Sequence, residues 1–224
     1  LYRGGMSGEV GYELFGNSAD GSVIWNAVVE AGKEYGLRQL GQRSLMLNHL
    51  QAYFPTIWVD FIPGIVPGAE ALHRSPVDYG WDRLVDKTRD FPGKDAILAE
   101  AAAPKTKCVT LEWNSEDCIN IFASLFDPEK EAFEQMPLPV NTSDFSAACP
   151  QFIPAFSKDQ QMIGLVSNRG YSCQYKKVIS LANIDIRYAQ EGTELFVLYG
   201  SEGHRQTMIR ATVAITPYKA DKRK

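Results

Sequence analysis

The sequence predicts an α+β protein: a ferredoxin-like α/β module over residues 1–104, followed by a C-terminal β-barrel over 105–224. Three observations carry this. Apolar residues recur at helical spacing between residues 18 and 36, they alternate with period two after residue 161, and Pro104 closes an alanine-rich stretch where the composition changes. The chain has 224 residues, of which 45% are hydrophobic and 22% charged, enough to build a buried core.

In chain order, residues 1–16 read as a glycine-rich turn running into a strand from Val10 to Phe15. Ser18 is the expected N-cap of a helix in which Ile24, Ala27, Val28, Ala31 and Tyr35 form a sheet-packing face, and Gly36 stops it. A second helix is expected over Leu40 to Leu50. The stretch Ala52–Pro76 carries four prolines and reads as a long aromatic loop. A strand over Asp78–Val85 and a helix over Gly93–Ala103 complete the first module.

In the second module Val109, Leu111 and Trp113 share one side of a strand over Cys108–Trp113. Ser115 is the expected cap of a helix whose inner face is Ile119, Phe122, Ala123 and Phe126. Residues 127–160 read as a proline-rich connection. Strands follow over Met162–Ser167, Lys177–Tyr188, Thr193–Tyr199 and Thr207–Ile215, with turns at Asn168-Arg-Gly, Glu191-Gly and Ser201-Glu-Gly.

Composition narrows function. Lys plus Arg number 23 against 27 acids, a net charge of −4, so no nucleic-acid partner and no anionic membrane surface is expected. The basic tail Lys219, Lys222, Arg223, Lys224 reads as a solvated, frayed terminus. No apolar run approaches the roughly 18 residues of a membrane span, and the expected location is cytoplasmic. Cys108, Cys118, Cys149 and Cys173 lack metal-ligand spacing and read as reduced thiols, and His49, His73 and His204 share no ligand pattern, so no metal is expected. P-loop, GxSxG and HExxH motifs are absent.

The informative segment is Arg3-Gly-Gly-Met-Ser-Gly-Glu-Val-Gly-Tyr-Glu13. It resembles the RTGYTGExGxE signature of the tetrahydrofolate-dependent aminomethyltransferase family, which includes the T-protein of glycine cleavage. Leu40-Gly-Gln-Arg43-Ser44 is similar to the family's GxxARD segment. Pro76-Val-Asp-Tyr-Gly-Trp81 with Asp90-Phe-Pro-Gly-Lys94 resembles its P…GWxxxxxKxDFxGK segment, and Gln161–Ser167 and Ile184–Val213 resemble its closing barrel. Met6 in place of Tyr, Ser44 in place of Asp, and a longer loop over Leu50–Arg74 depart from the glycine-cleavage pattern. With Lys107–Asn114, Ile121–Phe126 and the ending Ile209–Val213, they resemble the branch that demethylates aromatic acids such as vanillate and syringate.

The resemblance implies a tetrahydrofolate cofactor. Glu13 would meet the pteridine edge, its two acceptors matching a ring N–H and an exocyclic amine. Arg43 would engage a folate carboxylate or hold a neighbouring acid, and Met6 and Trp81 would line the cofactor cavity. Tyr2, just ahead of the motif, would donate a proton to the aromatic methyl ether substrate or orient its oxygen. Read from the residues alone, Glu13 is a solvent-facing strand residue, Arg43 a helix-surface ion-pair partner, Tyr2 a packing aromatic and Trp81 a core residue. The glycines serve either close ligand approach or turn geometry. The family's proton-handling Asp has no counterpart in this sequence, so the catalytic residues are unknown. The start without Met, directly in the glycine-rich segment, leads us to expect a chain corresponding to the C-terminal half of the family architecture, with the N-terminal half of the same protein as partner. The alternative functions are glycine-cleavage aminomethyl transfer and non-catalytic folate binding.

Overall fold

The computed structural model describes residues 1–136 and 152–223; Cys149, Lys224 and the middle of the expected 127–160 connection lie outside them. The first module opens with a ribbon of two short antiparallel strands, β1 (Tyr2–Arg3) and β2 (Tyr12–Glu13). Helices α1 (Gly21–Gly32), α2 (Gln42–Gln51) and α3 (Lys94–Ala102) follow. The second module holds β3 (Thr106–Trp113), α4 (Ser115–Ala123), β4 (Ile153–Phe156), β5 (Met162–Ser172), β6 (Lys177–Asp185), β7 (Glu194–Tyr199) and β8 (Thr207–Ala214). These six strands close an antiparallel barrel in the order β3-β6-β5-β4-β7-β8, β3 pairing with both β6 and β8. The α+β class with a C-terminal barrel is therefore the observed architecture.

Period-two alternation builds the barrel interior, because successive strand residues face opposite sides. Val109, Leu111 and Trp113 point inward from β3 and meet Ile184, Val197, Ile209 and Val213. Trp113 donates its indole N–H to Ser180 Oγ at 2.9 Å, so its polar edge is satisfied in a fully buried setting. The outer face of the same wall is also covered: Cys108, Ile179 and Leu181 pack against Leu50 of α2 and Tyr79. The first module therefore leans on the barrel through α2.

Several local expectations are corrected. Asp78–Val85 is not a strand. Asp78 accepts from Ser75 N, Ser75 Oγ accepts from Val77 N, and Gly80 takes φ +66°, so the chain turns into a 3-10 helix over Trp81–Leu84. Asn17, not Ser18, caps the 3-10 turn that precedes α1, and Asn114, not Ser115, caps α4 by accepting from Asp117 N at 3.1 Å. The buried face of α4 is Cys118 and Ile121, while Ile119 and Phe126 are exposed. The face expected to pack α1 on a sheet is uncovered among the described residues: Val28 is exposed, and so are its neighbours Val23 and Trp25.

The expected turn at Asn168 is instead a bulge inside the continuous strand β5, where the register against β6 shifts between Val166 and Arg169. The expected connection contains β4, whose Pro154 hides the strand signal. The basic tail is docked rather than frayed, since Lys219 N donates to Gln51 O at 2.7 Å and Lys222 N to Gly8 O at 2.8 Å. No helix among the described residues is long and apolar enough to cross a membrane.

Candidate functional site

The glycine-rich ribbon is the centre of the candidate site. Tyr2 stands opposite Glu13, Arg3 opposite Tyr12, and Gly4 N donates to Gly11 O at 3.0 Å, closing the loop between them. Two glycines are required by that closure. A Cβ on Gly5 would stand 2.1 Å from Glu9 O, and Gly8 holds φ +73°. Turn geometry thus accounts for both positions.

Glu13 is half-buried, and among the described residues its carboxylate has no hydrogen-bond or ion-pair partner. A carboxylate in that condition is ready to accept from a ligand. Tyr2 is exposed, and its ring lies over Gly4, within 2.7 Å of where a Cβ would be. Met6 is half-buried in the same loop. The ribbon thus sets Tyr2 opposite Glu13, with Met6 in the loop between their strands.

Arg43 stands apart from them, exposed in the first turn of α2 and without a partner among the described residues. The far end of α2, about 12 Å along its axis, touches the ribbon loop, where Ala52 lies against Gly8. Trp81 is half-buried and packs on Tyr79, ring centroids 5.0 Å apart, in the cluster that includes Leu50. One side of its ring joins that cluster while part of it stays exposed. Helix α2 is thus the common support: its first turn carries Arg43, its last turn Leu50, and the residue after it meets the glycine loop.

The sequence reading missed Asp60. It lies in the aromatic loop, where Tyr53 and Trp58 adopt left-handed backbone (φ 53° and 67°). Asp60 is buried and accepts from Ser167 Oγ at 2.6 Å, Asn168 N at 3.2 Å and Thr56 N at 2.8 Å. It pins the loop to the β5 bulge, and burial pushes its carboxyl pKa up to about 6 despite those donors. His49 of α2 is also buried; its Nδ1 pairs with Thr56 Oγ1 at 3.2 Å, and burial lowers its pKa. Asp78 does the same work on the other side, accepting from Thr106 Oγ1 across to β3. A lone Asp among aromatic residues was the available signal. Among the described residues no three His, Cys, Asp or Glu side chains come together as a metal site.

Comparison with known proteins shows what the chain is similar to. The chain is 32% identical to a sesamin methylene transferase of Sinomonas over 97% of its length and 56% of that protein's. It is 30% identical to the syringate O-demethylase of Sphingobium, over 97% of this chain and 54% of that one. An aminomethyltransferase of Alkaliphilus metalliredigens is 24% identical, over 98% and 49%. The chain is a homologue of these methylene- and methyl-transferring proteins and of the aminomethyltransferases. No family model matches it. The glycine cleavage system aminomethyltransferase T of Bartonella henselae has the same fold, with a TM-score of 0.63 at 16% identity over 98% of this chain and 49% of that one. The chain thus spans about half the length of the curated relatives it matches.

Proposed function

We propose that this chain is one part of a tetrahydrofolate-dependent methyltransferase that O-demethylates methoxylated aromatic acids of the vanillate and syringate type. The identity gap carries the reading. Over nearly the same 97–98% of the chain, identity is 32% and 30% to the sesamin methylene transferase and the syringate O-demethylase, against 24% to the aminomethyltransferase. Met6 and Ser44, which depart from the glycine-cleavage pattern, favour the same side.

The ribbon fits a pteridine on its own chemistry, because the half-buried Glu13 carboxylate has two acceptors and no partner among the described residues. When bound, tetrahydrofolate supplies the nitrogen that accepts the methyl carbon. The chain's own residues bind and orient. Glu13 fixes the ring edge through charged hydrogen bonds, Arg43 offers a cation to the folate carboxylate, and Met6 and Trp81 give the cavity apolar surface. Tyr2 orients the ether oxygen of the aromatic substrate. Catalysis on this scheme rests on holding donor and acceptor in line and on protonating the departing phenolate. The catalytic acid we assign to the other half of the same protein, and that half is the partner we assign to the exposed apolar side chains Leu1, Tyr2, Leu14, Phe15, Val23 and Trp25.

A second reading follows from the sesamin methylene transferase likeness: the unit transferred is the methylene bridge of a methylenedioxy ring. One assay separates the two. The complete protein is incubated with tetrahydrofolate and either syringate or a methylenedioxy-bridged aromatic. Formation of 5-methyltetrahydrofolate with syringate is the expected result. Methylenetetrahydrofolate with the bridged donor alone selects the second reading, and folate binding without turnover selects a non-catalytic binder.

A further inference from the structure

Residues 218–223 lie on the loop that the site depends on. They start from the barrel: Tyr218 donates its hydroxyl to Glu112 Oε2 on β3 at 2.8 Å, and Lys219 N donates to Gln51 O at the end of α2. From there three carbonyls of the glycine loop accept from the tail. Lys219 Nζ donates to Ser7 O at 3.0 Å, Lys222 N to Gly8 O at 2.8 Å, and the Arg223 guanidinium to Gly5 O at 3.0 Å. Arg3 donates back to Arg223 O at 3.2 Å. Asp221 holds the Arg223 fork in place with bonds of 2.8 and 2.7 Å.

The pairing is charged as well. Glu9 Oε1 stands 3.2 Å from Lys219 Nζ and 3.7 Å from Lys222 Nζ. The Lys219 hydrogen bond leads the causes that hold the Glu9 carboxyl below its usual range. Lys219 is the inner of these lysines, its side chain only 17% exposed. A glycine-rich loop left to itself samples many conformations, and fixing it in advance removes part of the cost of binding.

We propose that residues 218–223 are a strap that sets the shape of the loop Gly4–Gly11, with Lys219 and Arg223 as positioning residues for the ligand held by Glu13. The ligand part rests on the tetrahydrofolate reading above; the strap itself does not. The strap joins barrel, α2 and ribbon in one line of contacts, so a change at the chain's end is felt at its beginning.

The test uses the complete protein as wild type, Lys219→Met, Glu9→Gln and the conservative Lys219→Arg. Amide exchange over residues 4–13 and tetrahydrofolate titration are each read at low and high salt. In Lys219→Met and Glu9→Gln, loop exchange is expected to quicken several-fold while the barrel strands stay protected. Tetrahydrofolate affinity should fall about fivefold, with less loss at high salt, where the ionic part is already screened. KM should rise with kcat little changed, and Lys219→Arg should restore most of the effect. Unchanged loop exchange in both variants overturns the strap. Faster exchange with wild-type folate affinity overturns the positioning role alone. If the wild type itself fails to bind tetrahydrofolate, the folate reading falls, and loop exchange still decides the strap.

Discussion

The barrel and the first module bury their apolar side chains in different ways. In the barrel, Leu111, Ile184, Val197 and Ile209 are wholly enclosed by strands that close on one another, so no unpaired edge remains. In the first module the ribbon has two-residue strands, and on α1 Val23 is 70% and Trp25 56% exposed. What order the first module has comes from outside it: α2 on the barrel wall, Asp60 on the β5 bulge, and the tail on the glycine loop. The barrel closes on its own interior, and the candidate site is a partial wall held against it.

The largest expected effect tests the scaffold side. Trp113→Ala removes a 1% exposed indole bonded to Ser180, and Ile121→Ala empties a site at the barrel's helical cap. Each should lower unfolding free energy by about 2–5 kcal/mol in denaturant titrations of the chain. Trp25→Ala on α1 should cost less than about 0.5 kcal/mol in the same experiment. A Trp25 effect as large as that of Trp113 would erase the contrast between the two regions.

Next is the joint between them. Asp60 has its folded pKa raised to about 6, above an unfolded value near 4. The folded state therefore binds more protons than the unfolded one between about pH 4 and 6, and stability should fall as pH rises through that window, by about 2–3 kcal/mol. The contribution is fully present below the unfolded value and lost above the folded one. Asp60→Asn should remove this slope from the stability-versus-pH curve, at the cost of a donor set against Thr56 N or Asn168 N. A slope that survives the substitution would mean that another group titrates there.

The site side is probed by binding. Glu13→Ala should leave the denaturation midpoint in place, because a half-buried ribbon residue without partners among the described residues adds little to packing. In calorimetry on the complete protein it should weaken tetrahydrofolate binding by about 1.5–3 kcal/mol. Unchanged affinity would return Glu13 to an ordinary strand residue.

The same contrast explains what could be read from the sequence. Barrel strands were legible because an enclosed interior takes every second residue, as with Val109, Leu111 and Trp113. The ribbon was legible because its closure needs Gly5 and Gly8. What stayed hidden depends on distant partners. The β5 bulge needs Asp60, more than a hundred residues away, and the docked tail needs carbonyls at the other end of the chain. Pro154 masked β4, and the turn built by Ser75 and Asp78 imitated a strand in its apolar content. The apolar stripe of α1 reads as a packing face, but among the described residues Val28 and Tyr35 of that stripe lie exposed.

The smallest expected effect concerns the phase of α4. The spacing of Ile119, Phe122, Ala123 and Phe126 suggests one inner face, yet the helix is rotated so that Cys118, Ile121 and Ser124 turn inward. Two contacts fix the rotation: Asn114 caps the helix from the end of β3, and Ser124 Oγ accepts from Phe133 N while donating to Ile121 O. Asp117 adds a third from the rim, where it accepts from the Arg210 guanidinium at 2.7 Å. With Ile119 63% exposed, Ile119→Ser removes almost no buried area. It should change stability by less than about 0.5 kcal/mol, within the error of a urea titration. A loss above 2 kcal/mol would put Ile119 in the core and reverse the rotation.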